Sequence, residues 1–181
     1  PGWLRLRGQE SGSSLNRVSI LARKLLSVNA EITTKMEFSP EIYQHSAGLI
    51  LYYDNMNYAY LRKFYSENLN RSALGVMRIN NGDMMDYTST HQAVDDGPLW
   101  LKLRIKGRES QFSWSIDGKH WEEIGPAFDT SEFSSDIPSG LVWYLHSHTY
   151  ATRSFLSRAI RSISPLPQYF PYSAAIPLPR R

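Results

Sequence analysis

The stretch Val28-Asn29-Ala30-Glu31-Ile32-Thr33-Thr34-Lys35-Met36-Glu37-Phe38 decides the fold class. Val28, Ala30, Ile32, Met36 and Phe38 fall on one parity, with Thr34 its one polar member, and Asn29, Glu31, Thr33, Lys35 and Glu37 fall on the other. A period of two marks a half-buried strand, because successive side chains of an extended chain point to opposite faces. Outward from this stretch the signal repeats. Leu4 and Leu6 alternate with Arg5 and Arg7. Residues 48–53 and 58–64 flank the polar turn Asp54-Asn55-Met56-Asn57. Residues 74–79 and 84–87 flank Asn80-Asn81-Gly82-Asp83, whose Asn-Gly suits a type I′ hairpin.

Leu99, Leu101, Leu103 and Ile105 then alternate with Trp100, Lys102 and Arg104. Phe112, Trp114 and Ile116 alternate with Ser113 and Ser115, and Asp117-Gly118 turns the chain back into 121–124. Strands of this regularity, with no good amphipathic helix, predict an all-β fold, an antiparallel two-sheet β-sandwich. Only residues 13–26 have room for a short helical turn. No repeat of about 20–50 residues is present, which argues against a propeller or solenoid.

The chain has 181 residues, enough for one ordinary domain, and its 41% hydrophobic and 20% charged content excludes a disordered chain. It holds no cysteine, so disulfides, thiolate metal sites and a Cys nucleophile are all excluded. No apolar run approaches the roughly 20 residues of a membrane helix, and the N-terminus lacks a signal-peptide pattern. A start at Pro1 without Met reads as a fragment or processed piece. Compartment stays open, since a secreted protein need not use disulfides.

The net charge of +3 is unevenly spread. Residues 137–181 hold five Arg (Arg153, Arg158, Arg161, Arg180 and Arg181), six of the ten prolines, no Lys and no acid. The first 136 residues keep 15 basic and all 17 acidic side chains, so the main body has no excess positive charge to attract nucleic acid. The composition places a boundary near Ile137. Residues 1–136 are expected to form the sandwich, with 137–181 a divergent segment that supplies its last two strands from 141–145 and 159–163. Beyond about Tyr150 this segment is expected to be loosely packed. Its acid-free composition also fits a shifted reading frame.

With the strands placed, a resemblance emerges. Gly2-Trp3-Leu4-Arg5-Leu6-Arg7-Gly8, then Glu10-Ser11, Ser14-Leu15 and Leu21-Ala22-Arg23, resembles the opening of one accessory domain. Ala47-Gly48-Leu49-Ile50 through Tyr52-Tyr53, Asn57-Tyr58-Ala59-Tyr60-Leu61 and Leu74-Gly75 continue it. Phe112-Ser113-Trp114-Ser115-Ile116-Asp117-Gly118, Trp121 and Ile124-Gly125-Pro126 complete it. The sequence over 1–136 is similar to the C-terminal concanavalin A-like domain of family 43 β-xylosidases. The resemblance implies a concanavalin A-like jelly roll, a separate catalytic propeller as partner, and a xylan-type polysaccharide or oligosaccharide as ligand. It also implies a Phe from the closing segment that reaches the catalytic pocket, and no residue of 137–181 matches that motif.

Glycoside hydrolysis needs two carboxylates about 5–5.5 Å or 6.5–9.5 Å apart, with their pKa values split by environment. The acids here sit mostly in turns (Asp54, Asp83, Asp95, Asp96, Asp117) or on the polar parity of strands (Glu31, Glu37). In the family resembled, the catalytic carboxylates belong to the propeller. No catalytic residue is therefore assigned. His146 and His148 share a strand parity without a third ligand nearby, and no serine sits in a Gly-x-Ser-x-Gly elbow. No cofactor is implied, although Asp95-Asp96 or Asp129 offer hard oxygens of the kind calcium takes. Asn70-Arg71-Ser72 is a lone glycosylation sequon, too common to decide compartment.

Aromatics are more informative, since a pyranose presents an apolar C–H face that stacks on Trp or Tyr. Trp100 shares the polar parity with Lys102 and Arg104, opposite four aliphatic positions. It is a candidate for sugar binding or for packing against a partner domain. Tyr58, Tyr60 and Arg62 form a second candidate platform beside Phe64. Phe112 and Trp114 read as core. The leading expectation is a non-catalytic module of a xylan-degrading glycoside hydrolase, which binds xylan or buttresses the propeller. The alternatives are a hydrolase acting by itself on xylosides and a lectin-like module for another glycan. A large exposed apolar patch would favour docking, and an aromatic groove with hydroxyl partners would favour sugar.

Overall fold

The computed structural model describes residues 4–10, 13–25, 27–133, 142–148 and 156–159. Thirteen strands are present among them: β1 (Leu4–Arg7), β2 (Ser19–Lys24), β3 (Asn29–Glu37), β4 (Ser46–Asp54), β5 (Asn57–Ser66), β6 (Arg71–Asn80), β7 (Asp83–Asp86), β8 (Gln92–Ala93), β9 (Pro98–Lys106), β10 (Glu109–Ser115), β11 (Glu122–Asp129), β12 (Val142–His148) and β13 (Leu156–Ala159). They form two antiparallel sheets. The first runs β1-β13-β3-β9-β10-β11, and the second runs β2-β12-β4-β5-β6-β7 with β8 also on β6. The β-sandwich expected from the alternation is what forms. No helix among the described residues is long and apolar enough to cross a membrane.

The core lies between the sheets. Ile32, Met36, Leu101, Leu103 and Phe112 face it from the first sheet, and Leu49, Leu51, Leu61, Leu74 and Val76 from the second. Full burial of one such side chain contributes about 1.5–3 kcal/mol. The strict alternation of 28–38 survives as burial of Ile32, Thr34, Met36 and Phe38, but Val28 is exposed. It precedes the first ladder residue, Asn29, and so lies outside the sheet that would cover it.

Local turn chemistry sets the hairpins. Asp54 accepts hydrogen bonds from the Met56 N–H at 2.8 Å and the Asn57 amide at 3.0 Å, closing the β4–β5 turn. Asn81 and Gly82 both have positive φ between β6 and β7, as a type I′ turn requires. The described residues of 13–26, which had room for a short helical turn, form no helix. Their second half is β2, paired with β12 from Ser19–Lys24, because long-range pairing satisfies a backbone that its own side chains leave undecided.

The last two strands enter both sheets internally. β12 lies between β2 and β4 and runs three residues further at its C-terminal side than 141–145 implies, and β13 lies between β1 and β3. The last strand among the described residues is Leu156–Ala159, and of the expected 159–163 all but Ala159 lie outside the described residues. Apart from β13, the expectation of loose packing beyond Tyr150 falls outside the described residues.

Candidate functional site

Strand β9 turns Leu99, Leu101, Leu103 and Ile105 inward, so Trp100, Lys102 and Arg104 line the outer face of the first sheet. Trp100 is half-buried, as is Lys102, and Arg104 is exposed. Neighbouring strands decide what these side chains meet. Trp100 stands opposite Lys35 on β3 and Ser115 on β10. From the β3 side, the Lys35 ammonium approaches its ring centroid at 5.5 Å. From the β10 side the turn after Ser115 lies against the indole, where a Cβ at Gly118 would sit 2.8 Å from the ring. Lys102 reaches across to place its ammonium 3.8 Å above the Trp121 ring and 3.3 Å from Glu31. Arg104 pairs with Glu123 at 3.4 Å.

The turn over Trp100 is fixed by Asp117. Its carboxylate accepts the backbone N–H groups of His120 and Lys119, at 2.9 and 2.7 Å, and the Ser115 hydroxyl at 2.9 Å. The backbone hydrogen bonds, His120 first, hold the carboxyl far below the usual range. Trp100 is thus held from one side by its own chain and stays half-buried. Gly118 has φ +75 and no room for a side chain. Gly118→Ala should cost about 1–3 kcal/mol by denaturant unfolding, and clearly less in a Trp100→Ala background, where only the backbone strain remains. Equal cost in both backgrounds would show that the indole does not press on the turn.

The second candidate platform lies on the outer face of the second sheet. Tyr58 and Tyr60 do sit there beside Arg62, but they are buried, each 3% exposed, so neither is an open stacking surface. Packing explains the difference. The segment before β2 crosses this face, and the Ser13 hydroxyl is 2.9 Å from that of Tyr58. Tyr52 stacks on Tyr58 at 5.8 Å, and Ile50, Ile79 and Met77 complete the cluster. Burial raises both phenols above their ordinary pKa, opposed at Tyr60 first by a hydrogen bond with Ser46.

Arg62 is not free either. It donates to Asp86 at 2.7 Å, and the other oxygen of Asp86 lies 3.0 Å from His91 Nε2. The Phe64 ring supports both partners of Asp86: the guanidinium lies 4.3 Å from its centroid and the His91 ring meets it edge-on at 4.9 Å. Parity alone identified Arg62, but not Asp86, His91 or Trp121, which come from segments whose neighbours the sequence does not announce.

What this face leaves open is apolar. The register aligns Tyr52, Tyr58, Ile79 and Met84 in one row across β4 to β7. Its outer end, Met84 on the edge strand, is 69% exposed, and Met56 on the neighbouring turn is 45% exposed. Carboxylates are engaged elsewhere. Asp95 bonds Arg71, Asp96 accepts from Ser72 at 2.8 Å, and Asp129 accepts the Ser131 N–H at 2.8 Å. Among the described residues no three His, Asp or Glu side chains gather as metal ligands.

Comparison with known proteins adds the decisive observation. Residues 1–144 match the family model of the β-xylosidase C-terminal concanavalin A-like domain. The chain belongs to this family. It is 33% identical over 136 residues to a xylan 1,3-β-xylosidase of a Vibrio species, a match covering 75% of this chain and 25% of the relative. A β-xylosidase of Bacillus subtilis is 27% identical over 145 residues, covering 77% of this chain and 26% of that enzyme. The chain therefore spans about a quarter of the length of these relatives. Among solved structures, a xylan β-1,4-xylosidase of Bacillus halodurans superposes with a TM-score of 0.82 at 27% identity, over 88% of this chain and 32% of that one. A Saccharomyces cerevisiae protein of unknown function shares the fold at a TM-score of 0.65 and 14% identity, and there the match covers 87% of the other chain.

Proposed function

We propose that this chain is the accessory β-sandwich of a xylan-degrading, β-xylosidase-type glycoside hydrolase, which packs against the catalytic propeller and performs no hydrolysis itself. The observation that carries this reading is the contrast between the aromatic and the apolar surfaces. Of the candidate stacking rings, Tyr58 and Tyr60 are buried, and the half-buried Trp100 and Trp121 are each already engaged, the first by Gly118 and Lys35 and the second by Lys102. Met84 on the edge strand and Met56 on the neighbouring turn remain exposed. Methionine is adaptable and polarizable, which suits a surface that must fit another domain. The span of about a quarter of each xylosidase relative supports a partner in the same polypeptide.

The test uses the purified chain and the catalytic portion of the Bacillus subtilis relative, freed of its own C-terminal domain. The chain alone is expected to release no xylose from an aryl xyloside, yet to bind the catalytic portion in calorimetry. Met84→Asp should weaken that binding at least tenfold, because a charge would be desolvated at the contact. Turnover by the chain that vanishes on changing one Asp or Glu would overturn the reading, as would binding indifferent to Met84→Asp. A second reading, xylan binding on the Trp100, Lys102 and Arg104 face, is favoured by the two half-buried indoles there. It requires retention in xylan affinity electrophoresis that Trp100→Ala removes.

A further inference from the structure

We propose that the open cleft where β5 and β6 meet the loop before β9 is a subsite for a neutral pyranose sugar. The cleft has a volume of about 330 Å³ and is lined chiefly by Tyr65, Asn70, Arg71, Ser72, Asp95 and Asp96. That is the lower end of the range for small-molecule sites, roughly 300–1,000 Å³. It lies at the Ser66 end of β5, whereas Met56 and Met84 lie at the Asn57 end. The inference therefore goes beyond the docking surface and does not depend on it.

Sugar hydroxyls are donors and acceptors at once, so a subsite needs both kinds of partner fixed around an aromatic face. The cleft supplies them in an ordered array. The Tyr65 hydroxyl donates to Asn70 Oδ1 at 2.8 Å, Ser72 donates to Asp96 at 2.8 Å, and Arg71 bonds Asp95. Both carboxylates keep open lone pairs, with their side chains 91% exposed at Asp95 and 68% at Asp96.

Beneath them lies Lys63, an independent sign that this loop geometry matters. Its side chain is wholly buried between the strand neighbours Ala47 and Leu74, where an aliphatic residue would be the economical choice. Instead the ammonium donates to the backbone carbonyls of Asp95 at 3.0 Å and Gly97 at 3.5 Å, and sits 3.9 Å from the Asp96 carboxylate. The cation pins from below the loop that carries both acceptors, which preorganises them. Arg71 in the lining and the buried Lys63 beneath it together offset Asp95 and Asp96, so little charge is left to draw an anion or a metal ion. A neutral polyhydroxylated ring matches the lining better.

The experiment is an amide NMR titration of the full chain with xylose and xylotriose. Saturable shifts confined to Asn70, Arg71 and the 94–97 loop are expected at millimolar sugar. Asp95→Asn with Asp96→Asn should weaken binding at least tenfold, while Met84→Asp leaves it unchanged. Arg71→Ala, at an exposed position, should weaken it likewise and serves if the double variant loses the dispersed spectrum of the fold. Absence of saturable shifts with both sugars would overturn the proposal, as would binding that survives Arg71→Ala unchanged. A docking test that fails leaves this titration intact, because the two surfaces occupy opposite ends of β5.

Discussion

Adding a single methyl group at Gly48 is expected to cost the fold about 3 kcal/mol or more, the upper range for overpacking a core. Gly48 lies on β4 opposite Arg62 of β5, and a Cβ built there falls 1.9 Å from the Leu61 carbonyl oxygen and 2.9 Å from the Arg62 Cα. The obstacle is backbone, so no rotamer change relieves it. Relief requires β4 and β5 to separate, and both are central strands of the second sheet with fully buried Leu49, Leu51 and Leu61 between them and the core. Gly107→Ala is the control. Its Cβ meets nothing within 4 Å, and only the positive φ of 64° opposes it, about 1–2 kcal/mol. A urea midpoint for Gly48→Ala no lower than that for Gly107→Ala would show that the two strands part easily.

Removing the Lys63 side chain is expected to have an effect of similar size. Lys63→Ala leaves a cavity in the core and strips the donor from the Asp95 carbonyl, together about 3–5 kcal/mol. Lys63→Met fills the same volume and loses only the hydrogen bonds, so it should cost less than half as much. The pH dependence separates charge from packing. Burial lowers the Lys63 pKa from its ordinary 10.5, offset in part by Asp96 and Asp95. Between the lowered value and 10.5 the unfolded chain binds more protons than the folded one, so stability from this group rises with pH. Below the lowered value both states are protonated and the contribution is constant. The wild-type chain should therefore gain on Lys63→Met as pH climbs toward 10.5. A difference that is flat across this window would mean that the ammonium is hydrated in the folded state.

The strands were legible because their signal is local. A period of two in 28–38 and 99–105 fixes which side chains share a face, and Asn81-Gly82 or Asp117-Gly118 fixes where the chain reverses. The inward set Leu99, Leu101, Leu103 and Ile105 and the outward Trp100, Lys102 and Arg104 follow directly. So does the core placement of Phe112 and Trp114. Parity failed at Val28 for a local reason as well: the alternation ran one residue past the ladder. It also gave no warning of Lys63, a cation on the inward parity of β5, whose burial depends on carbonyls 32 and 34 residues away.

What the sequence by itself determined is the all-β class, the pairing of adjacent strands into hairpins, and the face each side chain occupies. Which strands become neighbours across long separations was decided only by the tertiary structure. The order β3-β9-β10-β11 brings Lys35, Glu31 and Trp121 to Trp100 and Lys102, contacts that the strand's own alternation does not announce. The crossing of Ser13 onto Tyr58 buries a second platform that parity had left in solvent. The physical reason is that alternation reports the direction of a side chain relative to its own strand. What lies over that side chain depends on the free energy of packing the whole sheet, which no stretch of ten residues contains.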